Sequence, residues 1–123
     1  MNVGKEAEKI AKEYLEKDLG LVATKASRGT GYDFETNDGR VWEAKGTTYS
    51  RIQINFTSTA LKGIHRNPTW NLIVVTDIDS QPKLHHLSRD TVLAEGHLNV
   101  GFWVQLTAKQ LEQLSEEEGS LED

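Results

Sequence analysis

Cysteine is absent from the 123 residues, which excludes disulfides and thiolate metal sites and fits a cytoplasmic protein. No apolar run approaches the roughly 18 residues that a bilayer crossing needs, and no signal-peptide pattern opens the chain. A cytoplasmic location without a membrane partner is therefore expected. No GKT or GKS follows the loop Ser-Arg-Gly-Thr-Gly at 27–31, so it is too short and irregular for a phosphate loop. No Ser–His–Asp arrangement, internal repeat or interdomain linker is visible. Basic residues are missing from one end only: residues 112–123 hold six acids and no Lys or Arg.

That last absence changes the meaning of the net charge. The whole chain carries −5, with 14 bases against 19 acids. With the six terminal acids set aside, 14 bases face 13 acids, a formal +1 over the remaining 111 residues. Acidity thus weakens a nucleic-acid reading without excluding it. Length and an ordinary apolar and charged content predict one core. The expected organisation is a single domain over 1–115 and an acidic, flexible tail over 116–123.

Residues 4–18 read as an amphipathic helix, with Ala7, Ile10, Ala11, Tyr14 and Leu15 on one face and Gly20 as its stop. A strand near 21–25, a hairpin Tyr-Asp-Phe-Glu-Thr / Arg-Val-Trp-Glu-Ala-Lys around Asn37-Asp38-Gly39, and an alternating strand at 51–56 follow. Thr57 caps a helix to about His65, with Phe56 placed to pack on Leu61. The nearly all-apolar 71–78 is expected to be a central strand buried on both faces. Strands at 83–87 and 102–106 and a last helix boxed by Thr107 and Gln110 complete the order α–β–β–β–β–α–β–β–β–α. This is an α/β fold: a mixed sheet flanked by helices.

The hairpin carries the chemistry. Strand alternation puts Glu43 and Lys45 on one face, with Trp42 and Ala44 on the other. The position of Asp33 depends on the turn. If Asn37-Asp38-Gly39 form the loop, Thr36 pairs with Arg40 and Asp33 lies opposite Glu43 on the same face. If only Asp38-Gly39 form it, Asp33 opposes Ala44 on the wrong face. The first register brings together two carboxylates, which call for a cation.

Gly-Tyr-Asp-Phe at 31–34 followed by Glu-Ala-Lys at 43–45 resembles the D…ExK signature of the PD-(D/E)XK nuclease superfamily, with Tyr32 standing where the named motif has proline. Gly4-Lys5-Glu6-Ala7-Glu8 resembles the G-x-x-A-E start of members related to archaeal junction resolvases and RecB-type nucleases. The segments GYDF, WEAKGT and NFTSTAL also look like the C-terminal domain of NO VEIN-type proteins. The resemblance covers about the first two thirds of the chain. It implies a restriction endonuclease-like core of α–β–β–β–α–β order over 4–78 and a metal-dependent endonuclease acting on DNA. It further implies Asp33, Glu43 and the Ala44 carbonyl as ligands of Mg²⁺, with Mn²⁺ as a substitute. Lys45 would hold water or stabilise charge on phosphate, and Glu8, with Glu6 as competitor, would reach the ion through water.

Each assignment has a plainer counterpart. Asp33, Glu43 and Lys45 would also serve as a cross-strand salt bridge, and Glu8 as a surface acid pairing with Lys5 or Lys12. Arg51, Gln53 and Asn55 form one polar strand face that would line a phosphate-backbone cleft or simply meet solvent. Lys62 and Arg66, with His65, share a helix face that would touch a second phosphate or complement the helix dipole. Adjacent His85 and His86 point to opposite faces and cannot hold one ion. Trp42, Trp70 and Trp103 read as core or interface packing. A homodimer meeting through 101–106 would double the phosphate contacts. The alternatives to a nuclease are a non-cleaving module that binds nucleic acid or a protein, and a subunit of a restriction or mobile-element system.

Overall fold

In the computed structural model, which describes residues 1–98 and 101–116, eight strands form two sheets. Helix α1 (Val3–Glu13) is capped by Asn2, whose side chain accepts from the Lys5 N–H. Its last turn widens into a π-helical stretch, Tyr14–Asp18. Strands β1 (Ala23–Lys25), β2 (Phe34–Thr36) and β3 (Val41–Gly46) form an antiparallel meander. Strand β4 (Ile52–Phe56) and helix α2 (Ser58–Arg66) then carry the chain over to β5 (Trp70–Thr76), which lies parallel to β3. Strand β6 (Lys83–Ser88) closes the sheet in the order β1-β2-β3-β5-β6. Helix α3 (Arg89–Glu95), β7 (His97–Leu98), β8 (Phe102–Leu106) and α4 (Ala108–Leu114) follow. The smaller sheet has the order β4-β8-β7, all antiparallel.

Two apolar layers sandwich the larger sheet, and strand alternation assigns residues to them. Trp42, Ala44, Ile73 and Val75 face α1, where Ala7, Ala11 and Leu15 are fully buried. Val41, Leu72, Val74 and Leu87 face the smaller sheet, meeting Ile52, Ile54, Phe56, Val104 and Leu106. Every residue of β5 is buried, as a central strand covered on both sides must be. None of the helices among the described residues is long and apolar enough to cross a membrane.

The architecture is α/β with a mixed sheet flanked by helices, but it departs from expectation in three respects. A single sheet was expected, whereas β4 and β8 build a second one. Both edges of β3 are already hydrogen-bonded, by β2 and β5, so β4 lays its apolar side on the sheet instead of joining it. Helix α3 and β7 were not anticipated. α3 has seven residues, capped by the Ser88 side chain on the Thr91 N–H, and two turns are too few for a helical period to stand out. Glu116, the first residue of the expected tail, is docked beside Ser115, the last of the expected domain: the Ser115 hydroxyl accepts from the His86 N–H at 2.9 Å, and the Glu116 N–H donates to the His86 carbonyl at 2.6 Å. The rest of the acidic run, from residue 117, lies outside the described residues.

Candidate functional site

The turn between β2 and β3 decides what the site contains. Gly39 takes φ +89°, the left-handed value that closes a three-residue loop, and its N–H donates to the Thr36 carbonyl at 3.0 Å. The Thr36 N–H donates to the Arg40 carbonyl at 3.0 Å, and Phe34 pairs with Trp42. The ladder ends at Phe34 and Trp42, where the Asp33 N–H also donates to the Trp42 carbonyl at 2.7 Å, and the Asp33 and Glu43 carboxyls face the same cleft. A side-chain link closes the end of the ladder: the Ala44 N–H donates to Asp33 Oδ2 at 2.8 Å. The carbonyl of a strand residue points to the same edge as its N–H, so the Ala44 carbonyl also faces the Asp33 side.

Asp33, Glu43 and Lys45 line a cleft of about 500 Å³ together with Lys25, Asn55 and the loop at 26–29. Glu43 is only 8% exposed. Burial, reinforced by the charge of the nearby Asp33, pushes its carboxyl up to about 7, although the Lys45 ammonium 3.2 Å away opposes the shift. Burial raises Asp33 as well, the Ala44 N–H counteracting and the nearby Glu8 adding to it. The two acids therefore resist sharing negative charge in the absence of a cation.

Glu8 reaches the rim of this cluster from α1, but its partner there is a lysine. Lys25, the last residue of β1, pairs its ammonium with Glu8 Oε1 and lies 3.8 Å from Asp33 Oδ1. Lys25 was missed from sequence because a three-residue strand has no readable phase. Its ammonium also lies over the Phe34 ring, 5.3 Å from the centroid, which holds it at this end of the sheet. Among the described residues, no three His, Cys, Asp or Glu side chains gather closely enough to hold an ion by themselves. The donors that Asp33, Glu43 and Ala44 offer are all hard oxygens, a set that suits Mg²⁺ completed by water and phosphate oxygens.

The loop before Asp33 is held by backbone contact. Gly31 has φ +87°, and a Cβ there would stand 2.6 Å from the Thr59 carbonyl oxygen and 3.0 Å from the Gly63 Cα. Only glycine permits both the conformation and the approach. The loop thereby docks on α2, whose Thr57 side chain caps the Ala60 N–H.

Arg51, Gln53 and Asn55 line a second hollow of about 500 Å³ beside the first, and Lys45 and Asn55 border both. Lys62 and Arg66 are exposed on α2 but line neither hollow. His85 and His86 lie on opposite faces: His85 bonds to Thr76 Oγ1, and His86 sits under α1 between Asn71 and Tyr14. Trp42 and Trp70 are buried, whereas Trp103 is partly buried on the outer face of the smaller sheet, where its ring stacks on His97. Phe102, Val104 and Leu106 turn inward, so most of the apolar surface expected to join two copies at 101–106 is used inside the chain.

Comparison of the chain with protein-family profiles, with curated proteins and with solved structures returned no match.

Proposed function

We propose that this chain is a divalent-metal-dependent nuclease that hydrolyses DNA phosphodiesters, with a restriction endonuclease-like core and the D…ExK site Asp33, Glu43 and Lys45. The observation that carries this reading is the half-buried Asp33 carboxyl beside the buried Glu43 in one cleft, with Glu43 pushed up to about 7. A cation bound between them would remove the cost of that arrangement. The connectivity supports it too: helix, antiparallel β1-β2-β3, then α2 and a parallel β5 follow the order that the resemblance implies, with β4 as an insertion.

Asp33, Glu43 and the Ala44 carbonyl would hold Mg²⁺ or Mn²⁺, which supplies charge neutralisation at a phosphoryl oxygen and acidifies water. Lys45, half-exposed at the mouth, orients the attacking water and stabilises charge that builds on phosphate. Water adds to phosphorus while the bond to one sugar oxygen breaks, and that oxygen leaves protonated. Glu8 acts from the rim, and Arg51, Gln53 and Asn55 receive the neighbouring backbone phosphates. Lys62 and Arg66 extend that contact only for a substrate that wraps around α2.

One observation favours a second reading, a non-cleaving nucleic-acid-binding module. Each acid of the cluster already has a lysine beside it, Lys25 for Glu8 and Asp33 and Lys45 for Glu43. Cleavage of plasmid, forked and single-stranded DNA by wild type and Lys45→Ala separates the two. The nuclease cuts in Mg²⁺ or Mn²⁺, stops in chelator, and loses on the order of 100-fold or more in Lys45→Ala. Folded wild-type protein that cuts none of the three with either ion would leave the binding module as the reading.

A further inference from the structure

The outer face of the smaller sheet carries amides and aromatic rings. Alternation turns Ile52, Ile54 and Phe56 inward and leaves Gln53 and Asn55 outside. On β8, Gln105 pairs with Gln53 and Trp103 with Asn55, so all four share the outer face. His97 of β7 pairs with Trp103 and stacks on it, with ring centroids 4.4 Å apart and planes 24° apart. Just before β4, Tyr49 is 64% exposed, and the Arg51 guanidinium lies 5.4 Å from its ring centroid. The four residue steps from Arg51 to Asn55 span about 14 Å along an extended strand. Two aromatic platforms are thus separated by a short amide-bearing track.

Neither platform is needed for the core. A Trp left partly in water beside a histidine forgoes some of the burial that the inward positions of the same strand obtain. The charge also has one sign. Arg51 and Lys45 border the track, and none of its positions carries a carboxylate, although the chain as a whole is acidic at −5. Flat exposed rings, amides with donors and acceptors, and cations at the edge suit unpaired bases and their phosphates. A duplex keeps its base faces stacked inside and offers the rings nothing to cover.

We propose that this face binds an unpaired DNA strand and leads it to the cleft. The inference rests on the nuclease reading and gives its substrate class: DNA with a single-stranded segment, such as an overhang, flap or fork. The route is continuous, because Lys45 and Asn55 border both the track and the cleft that holds Glu43.

The test is binding in chelator of a labelled mixed-sequence single strand of 12 or so nucleotides, its duplex and the RNA of the same sequence, read by anisotropy and by tryptophan fluorescence. Trp42 and Trp70 are buried, so quenching on binding reports Trp103. The single DNA strand should bind about tenfold tighter than duplex and quench fluorescence. Trp103→Ala and Tyr49→Ala should each weaken single-strand binding by about tenfold, Trp103→Phe should retain most of it, and duplex affinity should not change. Equal affinity for duplex and single strand overturns the proposal. So does tighter binding of RNA, or an unchanged affinity in Tyr49→Ala, whose exposed side chain can be removed without endangering the fold. Cleavage of a forked substrate in Mg²⁺ is scored separately. Ring-dependent binding without cleavage defeats the nuclease reading alone; cleavage without single-strand preference defeats this proposal alone.

Discussion

His86 and Glu43 are buried polar residues of the same sheet, 1% and 8% exposed, on opposite faces. His86 lies under α1 with both ring nitrogens partnered: Nε2 with Asn71 Oδ1 at 2.8 Å and Nδ1 with the Tyr14 hydroxyl at 3.4 Å. The Asn71 amide donates in turn to the Thr69 carbonyl, and the Trp42 ring packs on the imidazole. Glu43 faces the cleft with another acid beside it and one half-exposed lysine at hand. Similar burial therefore conceals opposite energetics. A polar network with its hydrogen bonds made costs little; two acids sharing a cleft store repulsion that a bound cation would release. The second arrangement is the one that invites a ligand.

Titration gives the sharpest contrast between the two. Glu43 ionises at about 4.5 when exposed and at about 7 in the folded protein. The folded state thus holds the proton more tightly than the unfolded chain, and stability should fall as pH rises from 4.5 through 7. The loss from this residue is roughly 3 kcal/mol. Urea unfolding in chelator should show wild type weakening over that window, while Glu43→Gln weakens far less and is the more stable of the two at pH 8. Cleavage should be lost in the same variant. A Glu43→Gln protein less stable than wild type at pH 8 would make this cluster a structural salt bridge.

The histidine side should respond in the opposite sense. Asn71→Leu leaves His86 Nε2 buried with no acceptor or donor from that position, which should cost about 2 kcal/mol at neutral pH. Cleavage per folded molecule should not change, because the network lies on the far face of the sheet. A variant that unfolds at the wild-type urea midpoint would mean that the Asn71–His86 bond contributes nothing to holding this face together.

Much of this contrast was readable from sequence where period and turn chemistry agree. Asn37-Asp38-Gly39 led to the three-residue loop and the pairing of Thr36 with Arg40, because only glycine fits the left-handed turn position, and the alternation of 40–45 put Glu43 and Lys45 on one face. The all-apolar 71–78 led to a strand covered on both faces. What stayed hidden depends on tertiary contact. Lys25 acquires its place from the pairing of a three-residue strand, and Gly31 from a helix that comes more than 25 residues later. The two-sheet arrangement follows from competition for the edges of β3, which no local pattern records. Trp103 looked like packing because its neighbours Phe102 and Val104 are, and only the register with Asn55 reveals its outward side.

Lys25 offers the smallest effect and the most selective probe of the cleft. Its ammonium is more than half exposed, so the ion pair with Glu8 and the longer one with Asp33 contribute little to stability. Lys25→Met, which keeps an apolar stem over Phe34, should lower stability by less than about 1 kcal/mol. Its influence on the acids is another matter, since Lys25 is one of the groups that hold the Asp33 carboxyl down. If Mg²⁺ or Mn²⁺ enters between Asp33 and Glu43, the lysine is a like charge beside it, and removing it frees Glu8 to face the ion. Mn²⁺ should then bind Lys25→Met several-fold more tightly than wild type by calorimetry, while the urea midpoint barely moves. The reverse pattern, a large fall in stability with no gain in Mn²⁺ affinity, would show that Lys25 completes a protein-only ion network and that the cleft face is as self-sufficient as the histidine face.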